Sequence, residues 1–144
     1  MSSPPRSGGV LCLDVGTKKH GLATCDALRL STQPLDPLRC APSAPQLLEH
    51  LESLLAERDI GTLLLGLPLH ADGSEGPQCQ VVRELGARLA KRFPQLELAY
   101  QNEHLSTRAA EQWLAESDLS KAQRKHWRDS AAALIVLRDY LGLH

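Results

Sequence analysis

Apolar and polar positions follow two different rhythms along this 144-residue chain. Near the N-terminus Val10-Leu11-Cys12-Leu13 run without a polar interruption and stop at Asp14, the pattern of a short strand buried on both faces. A polar, basic turn bracketed by Gly16 and Gly21 follows, and Leu22-Ala23-Thr24-Cys25-Asp26 can return as an antiparallel partner. Arg29 to Pro34 predicts a third, edge-like strand stopped by proline, and the proline-rich Asp36 to Pro45 predicts a connecting loop. Ser43 can then cap a helix with Gln46 reaching back. Leu47, Leu48, Leu51, Leu54 and Leu55 line one face of that helix.

Thr62 to Gly66 is a second buried strand, and a helix leading into such a strand predicts a crossover with parallel pairing. Leu67 to Pro77 is a long loop at its C-terminal end, where open α/β sheets bind ligands. Val81, Val82, Leu85 and Leu89 mark a second helix that ends near Phe93-Pro94, and Leu96 to Tyr100 alternates like a strand with one covered face. Ser106 or Thr107 can cap a third helix over roughly Arg108 to Glu116. A polar stretch from Ser117 to Arg128 precedes a last helix that ends near Leu141. Three strands followed by alternating helices and strands predict an α/β fold with a mixed five-stranded sheet flanked by helices. Residues 10–144 form a single domain in this reading, behind a flexible N-terminal tail over residues 1–9.

Composition narrows the function classes. The net charge of −1 and pI near 6.6 provide no global basic field, so a polyanionic partner needs a local patch. Aromatic residues are 3% of the chain, too few for stacking platforms to dominate. Four cysteines without a CxxC pair point to reduced, buried thiols rather than a zinc site. Met1 to Gly9 lacks the apolar centre of a secretory signal, and no apolar run approaches the roughly 20 residues of a membrane span. A cytoplasmic protein without a membrane partner is expected.

Three acids carry the candidate chemistry. Asp14 and Glu103 end strands; Asp129 shares a helical face with Ala132, Ala133, Val136 and Tyr140. Each has an ordinary explanation alone: a turn residue, a solvated loop acid, a salt bridge or helix-start charge. Together they can converge at one edge of the sheet. Clustered carboxylates repel unless a cation neutralises them, and hard oxygen ligands suit Mg²⁺ or Mn²⁺. Two such ions about 3.5–4 Å apart serve phosphodiester hydrolysis. Lys121, Arg124 and Lys125, with Arg128, form an acid-free basic run just before Asp129; Lys18, Lys19 and Arg108 can extend it as a phosphate-binding patch. The loop from Asp72 to Gln78 is either an anion-binding helix start or a flexible turn, and His20, His50 and His70 read as ordinary surface or loop residues.

Four stretches in order resemble the YqgF (RuvX) family: Asp14-Val15-Gly16-Thr17-Lys18, Gly66-Leu67-Pro68 with Asp72 to Gln78, Glu103 with Leu105-Ser106-Thr107, and Asp129 with Ala132-Ala133 and Tyr140-Leu141. The resemblance covers Val10 to Leu141. It implies a ribonuclease H-like fold, with Asp14, Glu103 and Asp129 around a divalent metal. It also implies a nuclease acting on RNA, at the 5′ end of pre-16S rRNA; the expected assembly is a monomer or homodimer. The chain departs from the family at Asn102-Glu103-His104, where Asp-Glu-Arg is usual, and at Lys18-Lys19-His20-Gly21, where Lys-Arg-Ile-Gly is usual. Three other readings stay open. A resolvase of structured DNA junctions would share the site but need a dimer. A ribosome-assembly factor would bind RNA without cutting it. A nucleotide-binding protein would use Asp14 to Thr17 as a phosphate loop, as actin and sugar kinases do, but needs a second lobe.

Overall fold

The computed structural model describes residues 8–103 and 106–143. Among them are strands β1 (Gly9–Asp14), β2 (Lys19–Cys25), β3 (Thr32–Arg39), β4 (Ile60–Leu67) and β5 (Glu97–Asn102). The helices are α1 (Pro45–Glu57), α2 (Pro77–Arg92), α3 (Ser106–Glu116) and α4 (Lys121–Leu141). The strands form one sheet in the order β3-β2-β1-β4-β5. β1 pairs antiparallel with β2, which pairs antiparallel with β3; β4 is parallel to both β1 and β5. This is the mixed sheet the patterning predicts.

Strand alternation sorts side chains onto two faces. Leu11, Leu13, Leu63 and Leu65 pack with Leu47, Leu51, Leu85 and Leu89 of α1 and α2. Val10, Cys12 and Leu64 pack with Ala133, Leu134, Val136 and Leu137 of α4 on the opposite face. α3 packs onto the outer side of α4 through Ala110, Leu114 and Ala131. All four cysteines are free.

Several boundaries differ from the sequence expectation. β3 runs through Pro34 and Pro37 to Arg39 instead of ending at proline. It is an edge strand, and Asp36 and Pro37 both fall opposite Gly21 in a bulge, where a missing N–H costs no ladder bond. The cap of α1 is Ala44, without a side-chain bond, and Pro45 starts the helix, so Ser43 and Gln46 form no capping box. α4 begins at Lys121. Ser120 accepts from the Gln123 N–H while the Gln123 side chain accepts from the Ser120 N–H, and this reciprocal cap turns the expected polar connector into two turns of helix. Gly8 and Gly9 are buried, and Gly9 opens β1, so the last two residues of the expected tail belong to the fold. Residues 1–7, His104 and Leu105 lie outside the described residues.

Candidate functional site

Asp14 closes β1 on the α4 face, two residues beyond Cys12. Glu103 follows the last residue of β5, and its N–H donates to the Leu67 carbonyl at 3.2 Å, which fixes it beside the end of β4. β4 lies between these acids, so a side chain at its end would separate them. The residue there is Gly66, where an added Cβ would stand 2.6 Å from Glu103 Oε2. The glycine leaves a gap through which the Glu103 carboxyl reaches Asp14.

The two carboxyls lie within hydrogen-bonding reach of each other. Asp14 is pushed well above the usual carboxylate range, first by burial and then by Glu103, with Asp129 adding to the repulsion. Glu103 Oε2 is buried without a hydrogen-bond partner among the described residues. An acid pair of this kind is held by a shared proton or a cation. The same negative charge, after burial, raises the thiol of Cys12.

Asp129 arrives from above. Gly21 pairs with Asp14 across the β1–β2 ladder, and the Asp129 carbonyl lies so close over it that any Cβ would overlap. The next residue secures this approach. Ser130 is fully buried; its hydroxyl accepts from the Leu22 N–H at 3.2 Å and donates to the Leu35 carbonyl. Leu22 and Leu35 face each other beside the β2–β3 bulge, so the hydroxyl ties α4 into the sheet there. Asp129 stands in the third turn of α4, away from the helix start, so the helix-start charge reading falls. Its carboxylate pairs with Lys19 Nζ at 3.1 Å.

A cavity of about 180 Å³ joins Asp14 to Asp129, with Thr107, Ala110, Glu111, Arg128 and Ala132 completing its lining. Arg128 pairs with Glu111 across its rim at 2.7 Å and clips α4 to α3. As the side chains stand, no three His, Cys, Asp or Glu among the described residues are gathered closely enough to hold one ion. Asp129 is drawn toward Lys19 while Asp14 and Glu103 face each other. The donor set still fits a hard divalent cation: all its ligands are carboxylate oxygens, and one is buried without a donor.

The basic candidates separate into two groups. Lys19 and Lys125 line a second cavity, of about 330 Å³, with Arg39, His126, Pro37, Ala122 and Asp129. Lys18 is exposed in the turn after β1, Arg108 is exposed on α3, and Lys121 and Arg124 lie on the first turn of α4. His20, expected at the surface, is fully buried; its Nδ1 accepts from the Gly16 N–H at 3.1 Å and pins the basic turn. Burial lowers its pKa, partly offset by the backbone of Cys40 and Ala41. Sequence reasoning quoted Gly66 as a strand end and within a family stretch, and assigned no site role to it, Ser130, Glu111 or Arg39. Only Gly66 carried a signal, as a glycine ending an otherwise apolar strand.

Residues 8–142 match the model of a family described as RuvX, Holliday junction resolvase. A relative in Lactococcus lactis subsp. lactis is 38% identical over 136 residues, covering 94% of each chain. One in Halalkalibacterium halodurans is 39% identical over 132 residues, 91% of this chain and 94% of its own. Both carry names that make them candidate pre-16S rRNA nucleases. Among solved structures, T. thermophilus RuvC in complex with a Holliday junction substrate matches 94% of this chain and 96% of its own, with a TM-score of 0.56. At 14% identity that likeness is one of fold, and the fold is ribonuclease H-like.

Proposed function

The chain belongs to the RuvX family, and from that premise we propose that it is a metal-dependent nuclease that hydrolyses phosphodiester bonds in RNA, at the 5′ end of pre-16S rRNA in the cytoplasm. The observation that carries this reading is the approach of the Asp14 and Glu103 carboxyls across Gly66, with Asp129 on α4 near enough to add to the negative charge at Asp14. A buried acid pair weakens a fold unless a cation uses it. The choice of RNA rests on the names of the relatives.

In this mechanism Asp14, Glu103 and Asp129 would hold Mg²⁺ or Mn²⁺. When bound, the ion supplies charge neutralisation and Lewis acidity at the phosphorus. Asp14, whose pKa burial and Glu103 push well above the usual carboxylate range, must be ionised before it can serve as a ligand. Lys19, at 3.1 Å from Asp129, holds that carboxylate on the rim of the cavity and is itself placed to meet substrate phosphate. Lys18, Arg108, Lys121, Arg124 and Lys125 contact the RNA backbone without reading its sequence. One such site cuts one strand, so a monomer suffices for RNA, whereas symmetrical cutting of a junction needs two copies.

The test is a cleavage assay on precursor rRNA, unrelated RNA and four-way junction DNA with Mg²⁺ or Mn²⁺. Wild type should cut the precursor best, and Asp14→Asn should lower the rate by at least about 10³-fold, as expected when a group that acts in the transition state is removed. Full activity in Asp14→Asn would overturn the site; preferential cutting of junction DNA by a dimer would overturn the substrate.

A further inference from the structure

We propose that the 330 Å³ cavity beside the carboxylates is a seat for the RNA phosphate next to the one being cut, with Arg39 as its principal ligand. The proposal rests on the nuclease reading and deepens it. Asp129 lines both this cavity and the acidic one, so the two open on either side of a single side chain. A strand with its scissile phosphate at the carboxylates therefore brings an adjacent phosphate to Arg39.

The walls suit that group. Lys19 opens β2 and Arg39 closes β3 directly opposite it in the ladder, while Lys125 and His126 come from the second turn of α4. Lys19 is paired with Asp129, and His126 lies 2.8 Å from Asp36. Arg39 and Lys125 have no ion-pair partner among the described residues, so the cavity carries more positive charge than its own acids balance. The planar fork of Arg39 can take two phosphate oxygens at once. Pro37 and Ala122 supply a small apolar wall that a ribose can rest on. Arg39 lies outside the basic run before Asp129 and reaches the site only because β3 continues through its prolines.

The experiment measures binding of a fluorescein-labelled single-stranded RNA by anisotropy, in EDTA, between 50 and 200 mM salt, beside steady-state cleavage of the same RNA. Arg39→Ala should weaken binding about fivefold to tenfold and reduce the salt slope by about 0.7, the value of one lost phosphate contact. It should raise KM with little change in kcat. Arg39→Lys should recover part of the affinity and all of the slope. Lys91→Ala, an exposed cation on α2 away from the cavity, should match wild type. Arg39 is exposed, and unchanged thermal melting of each variant shows that the fold is intact. If RNA is cut normally and Arg39→Ala leaves affinity and slope unchanged, the seat is wrong and the nuclease reading stands. If RNA is bound in an Arg39-dependent way but never cut, the seat stands and the nuclease reading fails. Absence of RNA binding by wild type overturns the seat.

Discussion

Two glycines do opposite work at the site. At Gly66 a Cβ would press on Glu103 Oε2, the free end of a flexible side chain, which can swing away at little cost. Gly66→Ala should therefore change stability by less than about 1 kcal/mol while it removes Glu103 from Asp14 and abolishes cleavage. At Gly21 a Cβ would overlap the backbone carbonyl of Asp129, which cannot move without lifting α4. Gly21→Ala should cost roughly 1–3 kcal/mol or more, as overpacking against rigid backbone does. Urea unfolding and the cleavage assay together separate the two effects, and a Gly66→Ala protein with wild-type activity would remove the role assigned to that gap. Neither role can be read from a single sequence, because each depends on a partner from another element crossing the glycine.

The decisive element is α4. Its apolar stripe was legible, and so was the inward-facing Asp129. Its first two turns were not, because a run of like charges resembles a solvated connector until the Ser120–Gln123 cap is recognised. The role of Ser130 was not legible either, because the use of its hydroxyl depends on Leu35, 95 residues away, beside a bulge that no local pattern announces. Ser130→Ala should leave the buried Leu22 N–H and the Leu35 carbonyl short of a partner and cost about 1–3 kcal/mol. It should also lower cleavage, since Asp129 is its neighbour in the chain. Ser130→Thr keeps the hydroxyl and should recover more of the stability than of the packing. A Ser130→Ala melting temperature equal to wild type would show that the hydroxyl does not anchor the helix.

At the scale of the whole molecule, the order of elements and the mixed sheet followed from the change between strand and helix rhythms. The expectation that Asp14, Glu103 and Asp129 share one edge of the sheet followed from their positions at strand ends and on one helical face; the folded chain brings Glu103 to Asp14 and pairs Asp129 with Lys19. What remained hidden was the charge balance. In the folded chain Asp14 must share its surroundings with two other acids, whereas in the unfolded chain it ionises freely. At neutral pH this works against folding. Asp14→Asn should melt a few degrees higher than wild type in EDTA, the shift expected of about 1 kcal/mol in a chain of this size. Millimolar Mg²⁺ or Mn²⁺ should raise the melting temperature of wild type but not of the variant, and scanning fluorimetry measures both. A variant less stable than wild type in EDTA would mean that the acids attract a cation of the protein itself more strongly than they repel one another.

The sheet presents one row of side chains to α1 and α2 and the other to α4, and all three acids lie on the α4 side. Substitutions among Leu47, Leu51, Leu85 and Leu89 touch only how firmly the domain coheres, so that half can drift in sequence as long as its volume is kept. The α4 half has no such latitude: its small residues hold the backbone approaches on which the acids depend. Divergent copies of this chain should therefore accumulate changes unevenly, fast beneath α1 and α2 and slowly beneath α4. A descendant with a new substrate would most easily arise by altering the rim around Arg39 and Lys125 while leaving the floor untouched.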